Sequence, residues 1–266
     1  MKFTRALLIL SIMLMILSTL GVNAAPPAAH FYFAQITDTH LGDLNNGDLT
    51  QKIVNDINTV PIKIEFVVHT GDIFNDTILD PKTVQEEKSI FGHLKFPVHF
   101  VSGNHDIQKG NDLEKTAEAY RQLFGPVSTK FECNGVVFIM FYTEPLAGSY
   151  QLQGYDPLAW LKSALDETKG KPVVIFTHKP PTLDFYNNSF HDTWPKDSLE
   201  QFTKLIKPYN VKAIIAGHFH RAEQEWLANV PIYVESATAG YGGRQSTYRI
   251  YEYDDGKIGY RTRYPQ

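Results

Sequence analysis

Buried-strand patterns alternate with amphipathic helical patterns through the first half of the chain, and this alternation limits the possible folds more than any other feature. Strand patterns cover residues 31–36, 64–68 and 96–101. A helical pattern follows each strand, and the three helical patterns begin at Asp48, Pro81 and Asp112. This order is typical of parallel strands joined by helical crossovers, so the sequence predicts an α/β fold.

The second half of the chain adds a hairpin and further strands. Asn134-Gly135 separates two β patterns, which is the strongest short hairpin signal. Two more buried strands are predicted at 173–176 and 211–216, each after a helical pattern, and three β-rich segments close the chain. We find no linker composition that would divide residues 30–266, so we predict one domain there.

The N-terminal segment has the pattern of a secretory signal peptide. A positively charged start precedes the apolar run Ala6 to Leu20, and Val22-Asn23-Ala24 offers small residues for cleavage. An uncleaved anchor is the alternative, but the run is at or below the length needed to span a bilayer. We therefore predict a signal peptide at residues 1–24, a short linker at 25–29 and an exported protein, periplasmic or secreted.

Composition excludes several other classes of protein. The formal net charge is −4, which argues against binding of duplex nucleic acid, because that needs a basic surface. No later segment is long and apolar enough to predict a membrane span. Cys133 is the only cysteine, so no intrachain disulfide can form, and we interpret it as a small apolar residue beside the hairpin.

Polar clusters follow five of the predicted strands. They are Asp38-Thr39-His40, Gly71-Asp72, Gly103-Asn104-His105-Asp106, Thr177-His178 and Gly217-His218-Phe219-His220. Each cluster alone is also typical of an ordinary turn, but ligands of open α/β sheets bind where strands end, and the recurrence favours a shared site. The donors are oxygen and imidazole without thiolate, which suits Zn, Mn or Fe. One ion rarely has seven protein ligands, so the number of donors favours two ions.

The order and spacing of these clusters resemble the calcineurin-like metallophosphoesterases. That family has Asp-x-His, Gly-Asp, Gly-Asn-His-Asp/Glu, a lone His and Gly-His-x-His, and the resemblance covers residues 31–235. The stretch 156–161 also resembles the helix that precedes the lone His, which here is His178. The resemblance implies a four-layer αββα sandwich of two mixed sheets flanked by helices, with the site at one edge.

The resemblance also implies a role for each site residue. It implies two divalent or mixed-valence transition-metal ions. The first ion would be held by Asp38, His40 and His220, and the second by Asn104, His178 and His218. Asp72 would bind both ions. It implies that a metal-bridging hydroxide attacks phosphorus and that His105 stabilises or protonates the leaving oxygen. The identity of the ions, Mn, Fe or Zn, stays open.

One position departs from the family pattern. Many members have Gly-Asp-x-x-Asp, in which the second Asp orients the catalytic His, but this chain has Asn75 at that place and Asp76 one residue later. Either Asp76 reaches His105 through a shifted loop, or His105 is less basic than usual. Asn75 also counts against the metal-binding Tyr of purple acid phosphatases.

The sequence predicts a small-molecule phosphoester hydrolase and leaves its substrate open. Few cations accompany the motifs, Lys179 and Arg221 being the nearest, which slightly favours a phosphodiester of nucleotide type over a monoester dianion. A phosphomonoesterase and a catalytically weak, metal-bound scaffold are the alternatives. Residues 179–197 are predicted to form a long surface loop, whose Tyr186, His191 and Trp194 either stack on substrate or anchor the loop. His69 and His99 are interpreted as strand packing.

Overall fold

Two mixed β-sheets form the centre of the structure, a computed structural model that describes residues 29–110, 112–148, 150–183 and 191–265. The predicted signal peptide and residues 25–28 of the predicted linker lie outside these residues. In the described part of the chain, no helix has the length and apolar character needed to cross a membrane.

The first sheet carries the predicted parallel strands. It contains β1 (His30–Ile36), β2 (Ile64–Thr70), β3 (Val98–Val101), β10 (Tyr248–Asp254) and β11 (Lys257–Arg263). The strand order is β11-β10-β1-β2-β3. β1, β2 and β3 are parallel, whereas β10 and β11 are antiparallel to their neighbours. The polar clusters after β1, β2 and β3 therefore lie at the same edge.

The second sheet is also mixed. It contains β4 (Thr129–Cys133), β5 (Val136–Met140), β6 (Val173–Phe176), β7 (Val211–Ala216), β8 (Glu223–Leu227) and β9 (Val230–Val234). The strand order is β4-β5-β6-β7-β9-β8, with β5, β6, β7 and β9 parallel. The β-rich segments predicted after β7 contain four strands in the described residues, because β8 and β9 form a hairpin.

Helices cover the outer face of each sheet. On the first sheet these are α1 (Asn46–Ile57), α2 (Pro81–Phe91) and α3 (Leu113–Phe124); the second sheet has α5 (Pro157–Asp166) and α6 (Lys196–Ile206), and the short α4 (Glu144–Gly148) follows β5. Aromatic rings such as Phe33, Phe66 and Phe138 fill the space between the sheets. The predicted αββα sandwich is confirmed.

Two predicted helix starts are wrong by a few residues. α1 begins at Asn46 rather than Asp48, and the Asn46 side chain donates a hydrogen bond to the carbonyl of His40 at 3.0 Å. The helical pattern before β7 predicts a start at Leu199, but α6 begins at Lys196, directly after Pro195.

The two sheets meet at the edge that carries the polar clusters. The Gln35 amide of β1 donates to the carbonyl of Ala216 in β7 at 2.9 Å. Just beyond these strands, the N–H of His218 donates to Asp38 Oδ2 at 3.0 Å. The sandwich therefore holds the clusters of both sheets against one another.

Candidate metal centre

Seven of the eight predicted site residues form three overlapping groups of potential metal ligands. Within each group the donor atoms lie within 4.8 Å of one another, and the groups are Asp38-His40-His220, His40-Asp72-His105 and Asp72-His178-His218. The eighth residue, Asn104, directly precedes His105. The structure thus brings together donors that lie up to 182 positions apart in the sequence.

Asp72 belongs to the third group and lies close to the first. Its Oδ2 is 3.0 Å from His178 Nε2 and 3.8 Å from His40 Nε2, while its Oδ1 accepts the N–H of His105 at 2.9 Å. Asp72 is also fully buried. A carboxylate in this place can contribute to both ions of a pair, which is the role that the family resemblance implies.

A buried oxygen at Asn104 supports the fit of a metal ion. Asn104 Oδ1 is buried and has no hydrogen-bond partner among the described residues. Buried polar atoms rarely lack a partner, because the loss of water is then uncompensated. An amide oxygen is a suitable donor for a divalent transition metal. We conclude that these residues fit two ions.

The ligand-bearing turns have strained backbones. Five of the predicted ligands have positive φ, namely Asp38 (51°), His40 (43°), Asp72 (53°), His218 (71°) and His220 (51°). For residues other than glycine this conformation costs about 1–3 kcal/mol each and persists where the surroundings enforce it. Strain concentrated at these positions is typical of a functional site.

Glycines in three motifs allow the ligand side chains to approach the backbone closely. A Cβ atom at Gly103 would overlap Asp72 Oδ1, and one at Gly217 would overlap Thr37 Oγ1. At Gly71 a Cβ would lie 2.6 Å from His178 Nδ1. These glycines are therefore part of the packing around the donors.

We expect Gly103→Ala to lower metal affinity and activity about 10–100-fold, the usual cost of disturbing the shell around a ligand. The new Cβ would displace the Asp72 carboxylate, because the two occupy the same space. Metal content by mass spectrometry and hydrolysis rates check this. Gly259→Ala is the matched control, since a Cβ there meets nothing within 4 Å, and it should change neither quantity. Equal metal content in both variants would contradict the expectation.

Hydrogen bonds around the donors orient the ligand rings and carboxylates. His178 Nδ1 donates to the carbonyl of Thr70 at 2.9 Å, which leaves Nε2 for the site. Thr37 Oγ1 donates to Asp38 Oδ2 at 2.6 Å.

Burial raises the pKa of Asp72, but the neighbouring His178 outweighs this effect and holds the pKa of Asp72 well below its usual range. Asp72 is thus ionised, as a metal ligand must be.

Asp76, and not Asn75, contacts the predicted catalytic histidine. His105 Nδ1 lies 3.0 Å from Asp76 Oδ1, whereas Asn75 Oδ1 is 3.3 Å from His40 Nδ1. Asp76 has φ 58°, so the shifted loop is a left-handed turn. Burial lowers the pKa of His105, but Asp72 and Asp76 outweigh it and raise the pKa above its ordinary value.

His69 and His99 have the packing roles predicted for them. His69 is fully buried, accepts the N–H of Gly71 at 3.2 Å through Nδ1 and contacts Thr39 Oγ1 at 3.0 Å through Nε2. The His99 ring stacks on Phe131 with a centroid distance of 3.7 Å. His69 therefore links the turns that follow β1 and β2 through its two ring nitrogens.

The described parts of the 179–197 loop are anchored to the body of the protein. Trp194 is buried, and its indole N–H donates to the carbonyl of Lys179 at 3.3 Å. This supports the anchoring alternative for Trp194. The His191 ring lies 4.7 Å from the His220 ring and 5.5 Å from that of His218, so this residue reaches the site. Tyr186 lies outside the described residues.

Sequence reasoning missed three residues that pack against the ligands of the first predicted ion. Tyr241 stacks on His220 with 5.0 Å between ring centroids. The N–H of Ala239 donates to the carbonyl of Asp38 at 3.1 Å, and Asn46 holds the carbonyl of His40 as described above. Only the glycine-rich turn around Tyr241 could have drawn attention to this segment, because a single sequence does not reveal such tertiary contacts.

Comparison with known proteins defines the class, which is that of metal-dependent phosphoric ester hydrolases. The chain belongs to the calcineurin-like phosphoesterase family, whose model matches residues 31–222. The fold agrees, since the structure of a dimetal phosphatase from Danio rerio superposes with a TM-score of 0.61 at 14% identity, over 89% of this chain and 99% of the other.

Curated relatives act on two kinds of phosphoester, according to their names. The serine/threonine-protein phosphatase CPPED1 of Danio rerio is 26% identical, over 72% of this chain and 70% of that protein. The glycerophosphodiester phosphodiesterase GpdQ of Enterobacter lignolyticus is 28% identical, over 70% of each chain. The family and the reaction class are thereby established.

Proposed function

We propose that this protein is an exported phosphodiesterase that acts on diesters of nucleotide type. The observation that carries the diester preference is the pairing of the two cations that lie nearest the ligand motifs in the sequence. Lys179 is buried between Glu144 and Asp192, with Nζ–O distances of 3.0 and 2.9 Å. Arg221 is ion-paired with Glu223 and lies over the Phe219 ring. Because both basic groups already pair with carboxylates, they are less available to neutralise a second negative charge on the substrate. This favours a diester, which is a monoanion, over a monoester dianion.

The residues that would hold the ions are those of the first and third ligand groups, together with Asn104. Asp38, His40 and His220 would hold one ion, Asn104, His178 and His218 the other, with Asp72 between them. Bound there, two transition-metal ions would supply Lewis acidity and an activated water for attack on phosphorus.

The chain's own proton donor would be His105 through Nε2. Its Nδ1 faces Asp76 at 3.0 Å, so Nε2 is the ring atom left for the leaving oxygen. Asp76 fixes the orientation of the ring, and the raised pKa keeps more of the imidazole protonated near neutral pH. An alkoxide leaving group needs that proton, whereas a nitrophenolate leaves without it.

Hydrolysis of two nitrophenyl esters tests the proposal. We expect metal-dependent release of nitrophenol from bis-p-nitrophenyl phosphate, with Mn, Zn or Fe added, and a higher kcat/KM for it than for p-nitrophenyl phosphate. A tenfold or larger preference for the monoester would favour a phosphomonoesterase instead. Failure to hydrolyse either ester with any of the three metals would favour the scaffold alternative.

Export rests on the sequence pattern of residues 1–24, which lie outside the described residues. We propose cleavage after Ala24, and the mass of the mature protein purified from the producing cell tests it. A mature chain that begins at Ala25 in the extracytoplasmic fraction is expected. Full-length protein retained in the cytoplasm would overturn the proposal.

A further inference from the structure

A surface cleft of about 470 Å³ shares a wall with the predicted first metal site. Three of its lining residues are Asn46, Ala239 and Tyr241, which contact His40, Asp38 and His220 as described above. The cleft therefore lies directly beside the ligands of the first ion. A substrate bound through phosphorus at the metal centre would be adjacent to it.

The charge of this cleft is opposite to that of the whole protein. Lys52 and Arg244 are the only charged residues among those that line it, and both are exposed cations. Within the described residues neither has an ion pair, although the chain carries a formal net charge of −4. We call this site, lined by Lys52, Arg244 and Tyr241, the basic cleft.

The remaining walls of the basic cleft are apolar or uncharged. Leu44 is 88% exposed and has φ 46°, an unusual backbone conformation for leucine. Asn45 and Gln245 add amide groups, and the Ser246 hydroxyl is without a hydrogen-bond partner among the described residues. An apolar wall beside amides suits a ring that carries polar substituents.

A second cleft extends the positive surface. It has a volume of about 660 Å³, shares Lys52 with the basic cleft and is also lined by Arg261 and Arg263. Its only acidic residue is Asp56, whose carboxylate pairs with Arg263 at 3.0 Å. The cations therefore continue away from the metal centre without an opposing free carboxylate in these two lining sets.

We propose that the basic cleft binds a second phosphate group, carried by one nucleoside half of the diester, with its ring against Tyr241 and Leu44. This inference rests on the proposed function and specifies its substrate as a nucleotide-type diester with a further phosphate. The Arg244 guanidinium and Lys52 ammonium suit a phosphate dianion, because an arginine fork can bind two of its oxygens.

Dinucleotides that differ by one phosphate test this. We would measure kcat/KM of the metal-loaded enzyme for adenylyl-adenosine with no terminal phosphate, a 5′-phosphate or a 3′-phosphate, separating the products by chromatography. One phosphorylated form should be preferred about tenfold, the value of one or two charge-assisted hydrogen bonds. The preference should fall as salt is raised, because the cations are exposed.

Matched variants locate the effect. Arg244→Gln should reduce kcat/KM for the preferred dinucleotide about tenfold more than for bis-p-nitrophenyl phosphate, and Arg244→Lys should reduce it less. Lys204→Gln makes the same change of charge at an exposed position of α6. It should leave the ratio of kcat/KM for the preferred dinucleotide to kcat/KM for bis-p-nitrophenyl phosphate unchanged.

Two results would overturn the inference in distinguishable ways. Hydrolysis of all three dinucleotides within twofold of one another, or an equal effect of Arg244→Gln on every ester, overturns the second phosphate alone. Absence of hydrolysis of any diester overturns the proposed function and this inference with it.

Discussion

Asp72→Asn is expected to remove at least one metal ion per chain and to slow hydrolysis of every ester about 10³-fold. A bound metal supplies several kcal/mol of transition-state stabilisation, and each 1.36 kcal/mol is a factor of ten in rate. The asparagine keeps the shape of the carboxylate and can still accept the N–H of His105, so the change isolates the charge. Asp72 belongs to the third ligand group, and its Oδ2 is also 3.8 Å from His40 Nε2 of the first group, so the loss of its charge should weaken both ions.

Metal content measured together with rates separates this role from a structural one. Asp76→Asn is the matched substitution at an exposed carboxylate that belongs to none of the ligand groups, and it should retain both ions. If Asp72→Asn keeps two ions per chain and loses activity only modestly, Asp72 is not shared between ions.

His105→Ala is expected to retain both ions and to slow hydrolysis in proportion to the leaving group's need for a proton. General-acid catalysis typically contributes about 10²–10⁴-fold to the rate. Hydrolysis of a dinucleotide, whose leaving group is an alkoxide, should therefore slow by that factor. Bis-p-nitrophenyl phosphate should lose far less, because nitrophenolate is stable without a proton. The reason is geometric, since Asp76 holds Nδ1 and leaves Nε2 for the leaving oxygen.

Asn104→Ala provides the contrast at the adjacent position. It removes the buried Oδ1 that has no partner among the described residues, so it should lower metal content and slow both esters alike. Equal slowing of both esters by His105→Ala, with metal content intact, would show that His105 binds phosphoryl oxygens and is not the acid.

The positions of the ligands were predictable because parallel strands end at one sheet edge. The runs before Asp38, Asp72 and Asn104 have strand patterns, and β1, β2 and β3 are indeed parallel neighbours. The same reasoning placed His178 and His218 after β6 and β7. The strand patterns therefore placed the polar clusters at strand ends, whereas the two sheets and the ligands of each ion were implied by the family resemblance.

The contacts around that layout were not predictable from periodicity. The choice between Asn75 and Asp76 depends on the left-handed turn at Asp76, which strand and helix patterns do not encode. The sequence shows Lys179 as a cation near the motifs, but its buried ion pair with Glu144 and its pair with the exposed Asp192 depend on the tertiary fold. Loop geometry decides such questions, and it follows from tertiary packing.

The ligands of each predicted ion come from both sheets, which couples metal supply to folding. Asp72 and Asn104 follow strands of the first sheet, and His178 and His218 follow strands of the second. An ion that binds only the folded chain adds RT ln(1 + [M]/Kd) to the free energy of unfolding, about 2.7 kcal/mol at a hundredfold excess over Kd. With Cys133 as the only cysteine, no intrachain disulfide can take over this task. We therefore expect the free energy of unfolding, and with it the resistance to proteolysis, to rise with the free metal concentration.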